Sequence, residues 1–309
     1  MKHLSVIVAL FVAGCRSEPL PAPQPPAPPP LGPITIPDVT VYLAQARCPD
    51  GTLTPAEPGC LGAAPQRASD PMLMRRHDLP APDGFQASDS FVSDDGTRFV
   101  ATWSYPPYGP FTIPNGDGGE FYVRDGSTVR IAATEDGSQP TVQVFTGADC
   151  GGTGWVLFRA DAPTGRWAEM VASLNDEPVG GACSAAIKAL TRYRLEQVTF
   201  PFVIGGVATH LTLPTVISEH YNEADFASAR SMERTFMSAG VGRVMWEAWT
   251  MAPPVGADLA HRCPGSNWSR PPGPGWSLSD CRTSTNMVVT DGSLTGDSYG
   301  WPPKGLVLP

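Results

Sequence analysis

The chain has 309 residues, and its 35 prolines and 32 glycines argue against a helical bundle, a coiled coil or a helical solenoid, because both residue types interrupt helices. Hydrophobic residues make up 41% and charged residues 17%, which is enough apolar material for a sizeable core and too little charge for wholesale disorder. The net charge of −9, with no basic cluster, argues against nucleic acid as a partner.

The N-terminus is typical of an export signal. Lys2 and His3 precede an apolar run over residues 4–12, about half of the roughly 20 residues that a membrane-spanning helix needs. Val12-Ala13-Gly14-Cys15 follows. This tetrad resembles the lipobox of bacterial lipoproteins, whose leader is removed by signal peptidase II once the cysteine carries a lipid.

The lipobox resemblance implies a cellular address. It makes residues 1–14 the removed leader and Cys15 the lipidation site, with the lipid as the contact to the membrane. Arg16 stands where relatives retained in the inner membrane commonly carry Asp, so the resemblance implies the outer membrane. The alternative is an ordinary secretory signal with Cys15 near the cut. Residues 15–33 are proline-rich and predict a polyproline II stalk of roughly 45 Å.

The seven cysteines also indicate an exported protein. With Cys15 assigned to lipid, an even set remains, and we expect each cysteine to pair with its neighbour in sequence, although other connectivities stay open. The expected disulfides are Cys48–Cys60, Cys150–Cys183 and Cys263–Cys281. No Cys-x-x-Cys occurs and the histidines are scattered, so we predict no metal site. No Walker, dinucleotide or His-Glu-x-x-His motif occurs, so we predict no cofactor.

Turn signals and strand-forming runs predict an all-β fold. Asp-Gly steps such as Asp125-Gly126 and Asp136-Gly137 suit tight hairpins, and the runs between them alternate in polarity. We expect an antiparallel sandwich or barrel with irregular Pro/Gly-rich flanks. The predicted strands cover residues 97–105, 120–124, 128–133, 141–146, 155–160 and 192–198, followed by a hairpin at 232–249. Residues 192–198 alternate charged and apolar side chains, which predicts a strand with one solvent-exposed face.

Helix is expected only in short pieces, at residues 184–190 or 223–231. The β core is predicted to cover residues 85–250. An N-terminal wrapping segment at 34–84 contains a strand-like start at 34–43 and a proline-rich loop with Arg75-Arg76-His77. A C-terminal disulfide-stapled segment at 251–309, with one strand at 287–290, is expected to pack on the core.

The densest group of titratable residues in the predicted core lies around Glu219 and His220, followed by Glu223. Together with Glu233 and Glu247, these are the candidates for general acid–base chemistry, and two carboxylates facing each other could cleave a glycosidic bond. Along a strand, however, Glu219 and His220 point to opposite faces. The alternative interpretation of this group is a strand that ends in a polar loop.

Aromatic residues offer a second kind of site. Trp103, Tyr105 and Tyr108 lie close together in sequence and are candidates for a carbohydrate-stacking face, against the alternative that they form part of the core. We therefore favour a lipid-anchored envelope protein with a binding or structural β domain, whose partner is a glycan, peptidoglycan or a protein. The alternative is a hydrolase that acts on a polysaccharide or other envelope polymer through the residues near 219–247.

Overall fold

The computed structural model describes twelve separate stretches of the chain, and all structural statements below refer to them. They are residues 39–47, 64–65, 73–78, 87–92, 98–104, 118–135, 142–148, 151, 154–178, 186–204, 207–252 and 270–290. The predicted leader, Cys15, the stalk, Tyr105 and Tyr108 lie outside them, as do five of the six cysteines expected to form disulfides. Those predictions therefore stay predictions.

The described residues form fifteen strands and one 3-10 helix at Val39–Tyr42. In chain order the strands are β1 Ala46–Arg47, β2 Ala64–Pro65, β3 Leu73–Asp78, β4 Ala87–Val92, β5 Arg98–Ser104, β6 Gly118–Asp125, β7 Thr128–Glu135, β8 Val142–Gly147, β9 Trp155–Arg159, β10 Ala168–Pro178, β11 Ile187–Ile204, β12 Val207–Tyr221, β13 Ser231–Ser238, β14 Gly242–Thr250 and β15 Ser277–Thr290. No helix among the described residues is long and apolar enough to cross a membrane.

Thirteen strands make one large sheet in the order β6-β5-β4-β3-β15-β14-β13-β12-β11-β10-β8-β7-β9, while β1 and β2 pair separately. The sheet bends back on itself, because β6 also pairs with β7 and β15 also pairs with β11. The β11–β15 pairing is parallel, and the other named strand pairs are antiparallel. The prediction of an antiparallel all-β fold is confirmed.

Several local predictions were wrong. Residues 187–190 of the first predicted helix lie in β11, and residues 223–230 of the second form turns between β12 and β13. Val39–Tyr42, in the expected strand-like start, is a 3-10 helix instead. Arg75, Arg76 and His77 belong to β3, which pairs with β15. The strand expected at 287–290 begins ten residues earlier, at Ser277.

Strands β11 to β14 bury side chains on both of their faces. One face packs into a core that includes Tyr193, Leu195 and Val216 with residues of β7 and β9. The other face carries an apolar cluster around Phe200, Phe236 and Met245 and an aromatic cluster around Tyr221, Trp249 and Trp276. A charged side chain that is buried on either face of these strands therefore needs a partner inside the protein.

The predicted hairpin at 232–249 is present, with β13 and β14 joined through residues 239–241. Gly240 and Gly242 take φ angles of 76° and 75°, a backbone conformation that glycine adopts at little cost. The amide of Gly240 donates a hydrogen bond to the carbonyl oxygen of Val41 at 2.7 Å. The turn thereby ties the 3-10 helix to the sheet.

Candidate functional site

A row of charged side chains crosses the sheet at right angles to the strands. In the strand register Arg192 on β11 stands opposite Glu219 on β12, Glu219 opposite Arg234 on β13, and Arg234 opposite Glu247 on β14. The signs alternate along the row. All four residues are buried, at 9%, 0%, 6% and 1% exposure in that order. We call this row the charge ladder.

The ladder is joined by direct hydrogen bonds. The Nε of Arg192 and the Tyr221 hydroxyl both donate to Oε2 of Glu219. Arg234 reaches Oε1 of Glu219 through Nε at 2.8 Å and through Nη2 at 2.6 Å. Its Nη1 contacts Oε2 of Glu247 at 3.1 Å, and Trp249 Nε1 donates to the same oxygen at 2.8 Å. Both carboxylates are therefore held from at least two directions.

Burial and pairing act in opposite directions on Glu219. Burial alone would raise the pKa of this carboxyl group, but the guanidinium groups of Arg234 and Arg192 outweigh that effect and hold the pKa below its ordinary value. Hydrogen bonds from Tyr221 and Arg192 act in the same direction as the guanidinium groups. Glu219 therefore stays ionised, although its side chain is wholly buried.

Aromatic rings enclose the two arginines of the ladder. The guanidinium carbon of Arg192 lies 4.6 Å from the ring centre of Trp167, 5.2 Å from that of Tyr221 and 4.8 Å from that of Phe226. The guanidinium carbon of Arg234 lies 5.4 Å from the Trp249 ring. A cation over the face of an aromatic ring is attracted by the ring's quadrupole, and the attraction is larger where water is excluded. These contacts add to the stabilisation of the buried charges.

Beside the ladder lies a cleft of about 580 Å³. Strands β11, β12 and β13 supply one side, and Trp167 and residues 270–272 also line it. Its described charged residues are Arg192, Arg194, Arg234, Arg270, Glu196 and Glu219, and its described apolar residues include Val198, Ile217 and Phe236. We call it the arginine cleft. Its size is in the range of sites that hold small molecules or the end of a polymer.

The structure brings together two of the predicted acid–base residues. Glu219 and Glu247 contact the same guanidinium group, that of Arg234. Glu233 is exposed and its carboxylate accepts a hydrogen bond from Trp246 Nε1 at 3.2 Å. Glu223 is exposed in the loop after β12, which matches the strand-end interpretation.

His220 lies on the face of β12 opposite Glu219, as strand alternation predicts. Its ring stacks on Trp155 at 4.5 Å between ring centres, and its Nε2 lies 3.1 Å from the carbonyl oxygen of Val156. Burial lowers the pKa of His220 from 6.5 to about 4, so the ring is neutral at pH 7. His220 is a core residue that does not contact the arginine cleft.

Sequence reasoning missed the two arginines on which the ladder depends. The alternation in residues 192–198 predicted a solvent-exposed face for Arg192, and this was wrong, because Arg192 is 9% exposed. Arg234 lies within the hairpin predicted at 232–249, and the hairpin pattern does not mark it as a partner of a buried carboxylate. The alternation was the available signal, but it does not show what covers a face. Trp103 lies in β5, and nothing further is described of its side chain.

A second buried ion pair lies away from the ladder. Arg243 on β14 contacts Oε2 of Glu120 on β6 at 2.9 Å, and the Tyr122 hydroxyl donates to that same oxygen. Burial raises the pKa of Tyr122 well above its ordinary value, with the negative charge of Glu120 adding to the shift. This pair connects strands that are far apart in the sheet order.

The described residues contain no group of three or more His, Cys, Asp or Glu side chains arranged to hold a metal ion. Comparison of the chain with protein-family models, curated proteins and solved structures finds no match.

The neutral state of His220 predicts a pH-dependent stability. In the unfolded chain His220 binds a proton below about pH 6.5, whereas in the folded protein it does so only near pH 4. Stability is therefore lost as the pH falls through this window. We expect His220 to account for a loss of about 2 kcal/mol in the free energy of unfolding between pH 7 and pH 5.

Chemical denaturation at the two pH values measures this loss. His220→Gln should remove most of it, and His210→Gln, at an exposed histidine on the same strand, should leave it unchanged. Equal pH dependence in the wild type and His220→Gln would show that His220 is not the group responsible.

Proposed function

We propose that the protein is a non-catalytic binding module of the bacterial outer membrane, and that the arginine cleft holds its ligand. The observation that carries the proposal is the lining of the cleft, in which guanidinium groups and apolar side chains surround a space of about 580 Å³. Planar guanidinium groups suit bidentate recognition of anionic groups. The partner is a glycan, peptidoglycan or a protein of the envelope.

The proposal assigns membrane attachment to the lipid and reach beyond the membrane surface to the stalk. In the proposal Cys15 carries the lipid, which holds the protein at the membrane, and further acyl chains make the attachment stable. A polyproline II stalk of roughly 45 Å would let the β domain reach material beyond the lipid surface. Disulfides among the remaining cysteines would stabilise the exported domain.

A hydrolase is the second candidate, because Glu219 and Glu247 contact one guanidinium group and Glu219 lines the cleft. A glycosidase of this kind needs one carboxylic acid with a raised pKa as proton donor. The pKa of Glu219 is held low, and its oxygens already accept hydrogen bonds from Arg192, Arg234 and Tyr221. Glu247 is likewise engaged by Arg234 and Trp249. The geometry therefore favours binding.

Co-sedimentation of the full-length protein with purified peptidoglycan sacculi tests the function. We expect retention on the sacculi without release of soluble sugar or peptide fragments. Glu196→Trp places a bulky ring at the cleft and should weaken retention at least tenfold. Asp125→Trp, which places the same ring at an exposed acidic residue at the end of β6 and outside the described cleft lining, is the control and should retain wild-type binding.

Two outcomes would contradict the proposal. Fragments that accumulate with time and are lost in Glu219→Gln or Glu247→Gln would show a hydrolase. Absence of retention with no fragments would exclude sacculi for both candidates and overturn the binding module in this form. Thermal unfolding of each variant shows whether the change in binding comes from misfolding.

A separate experiment tests the proposed lipid anchoring at the outer membrane. Cys15→Ser removes the thiol that the lipobox modifies, so we expect the variant to leave the outer-membrane fraction and the detergent phase. A variant with Ser in place of Cys48, which keeps the lipobox, serves as the control. Unchanged detergent-phase partitioning of Cys15→Ser would contradict lipid anchoring and support an ordinary secretory signal.

A further inference from the structure

The charges around the arginine cleft are not evenly paired. Among the described lining residues four are arginine and two are glutamate, in a chain whose net charge is −9. Arg192 and Arg234 belong to the charge ladder and are held by Glu219. Arg194 is different, because the residue opposite it on β12 is Ile217, which has no charge to offer.

Arg194 forms an ion pair with Glu196, and the contact is poor. Its Nε lies 3.0 Å from Oε1 of Glu196, two residues along the same strand. Although the two atoms are close, they do not form a hydrogen bond, and the buried Nε of Arg194 is left without a hydrogen-bond partner. The side chains of Arg194 and Glu196 are 27% and 32% exposed, so both can be reached from solvent.

The surroundings strengthen the attraction for an anion. The guanidinium carbon of Arg194 lies 4.1 Å from the ring centre of Trp167, and Ile217 and Phe236 form part of the same wall. A charge pair gains more where apolar groups exclude water. Burial lowers the pKa of Arg194, and the positive charges of Arg234 and Arg192 lower it further. The negative charges of Glu196 and Glu219 raise the pKa but do not outweigh the burial. A bound anion would relieve this cost.

We infer that Arg194 binds a carboxylate group of the ligand, which takes the place that Glu196 now occupies beside the guanidinium. The inference rests on the proposed function, because it names the chemistry that the arginine cleft recognises. A carboxylate is favoured over a phosphate because the group already in contact with Nε is itself a carboxylate, with one negative charge. The ligand is thus an acidic polymer with free carboxylates rather than a neutral glycan.

The experiment compares native sacculi with sacculi whose carboxyl groups have been converted to neutral amides. We expect the amidated material to bind the full-length wild type at least tenfold more weakly. Arg194→Gln should lose binding to native sacculi to a similar extent, and Glu196→Gln should bind several-fold more tightly, because it removes the competing carboxylate. Arg166→Gln, at an exposed arginine outside the described lining, should bind as the wild type does.

The outcomes separate the two proposals. Equal binding to native and amidated sacculi, with Arg194→Gln unaffected, would overturn the carboxylate inference and leave the binding module standing. Absence of binding to either material would count against the proposed function itself. Competition by inorganic phosphate but not by acetate would also overturn the inference, since it would identify a phosphate site. Glu196→Gln keeps the test decisive if Arg194→Gln fails to fold.

Discussion

The structure around the arginine cleft depends on one buried carboxylate, that of Glu219. Its side chain has no exposure to solvent, and taking a carboxylate out of water costs several kcal/mol unless it is paired and hydrogen-bonded. Arg192 from one neighbouring strand and Arg234 from the other supply that pairing. Three strands must therefore stand in one register before the charge can be buried.

The same constraint makes the register specific. A slip of one residue would turn Glu219 toward the face where His220 now packs on Trp155, away from both arginines. Two rows of side chains flank the ladder, with Ile217 and Phe236 in one and Tyr221 and Met232 in the other. The apolar members of these rows tolerate exchange of similar side chains, whereas the ladder does not, because an unpaired buried charge is strongly destabilising.

The arginine cleft follows from the ladder. Arg192 and Arg234 are fixed by their carboxylates and by aromatic rings, so they form a rigid wall. Arg194, two residues along β11 from Arg192, adds a further guanidinium group, whose ion-pair partner Glu196 lies on its own strand. The buried charges of the ladder are paired with one another, whereas Arg194 is only weakly paired. This arrangement suits the binding of an anion more than proton transfer.

The sequence predicted the strands well and the ladder poorly, and the reason is physical. Alternation and Asp-Gly turns are local, so strands such as β7 and β9 and the β13–β14 hairpin could be located from the residues alone. Which face of β11 is buried depends on partners far away in the chain. Arg192 thus looked like a surface residue, although Glu219 and Trp167 surround it.

The last described strand, β15, shows that a local sequence pattern can also miss most of a strand. Only its last four residues carry an obvious strand pattern, yet it runs from Ser277 to Thr290 between β14 and β3. The contact of Glu219 and Glu247 with one arginine could not be predicted either, because the register between strands depends on several segments of the chain together. The separation of Glu219 from His220 was predictable, since it follows from the two-residue period of a strand.

Glu219 and Arg234 stabilise the fold as a pair. The most direct measurement is a double-mutant cycle of the free energy of unfolding with Glu219→Gln, Arg234→Gln and the variant that carries both changes. We expect each single change to be strongly destabilising, and the pair to show a coupling energy of about 2–3 kcal/mol. A coupling energy below about 0.5 kcal/mol, meaning that the two effects simply add, would contradict the account.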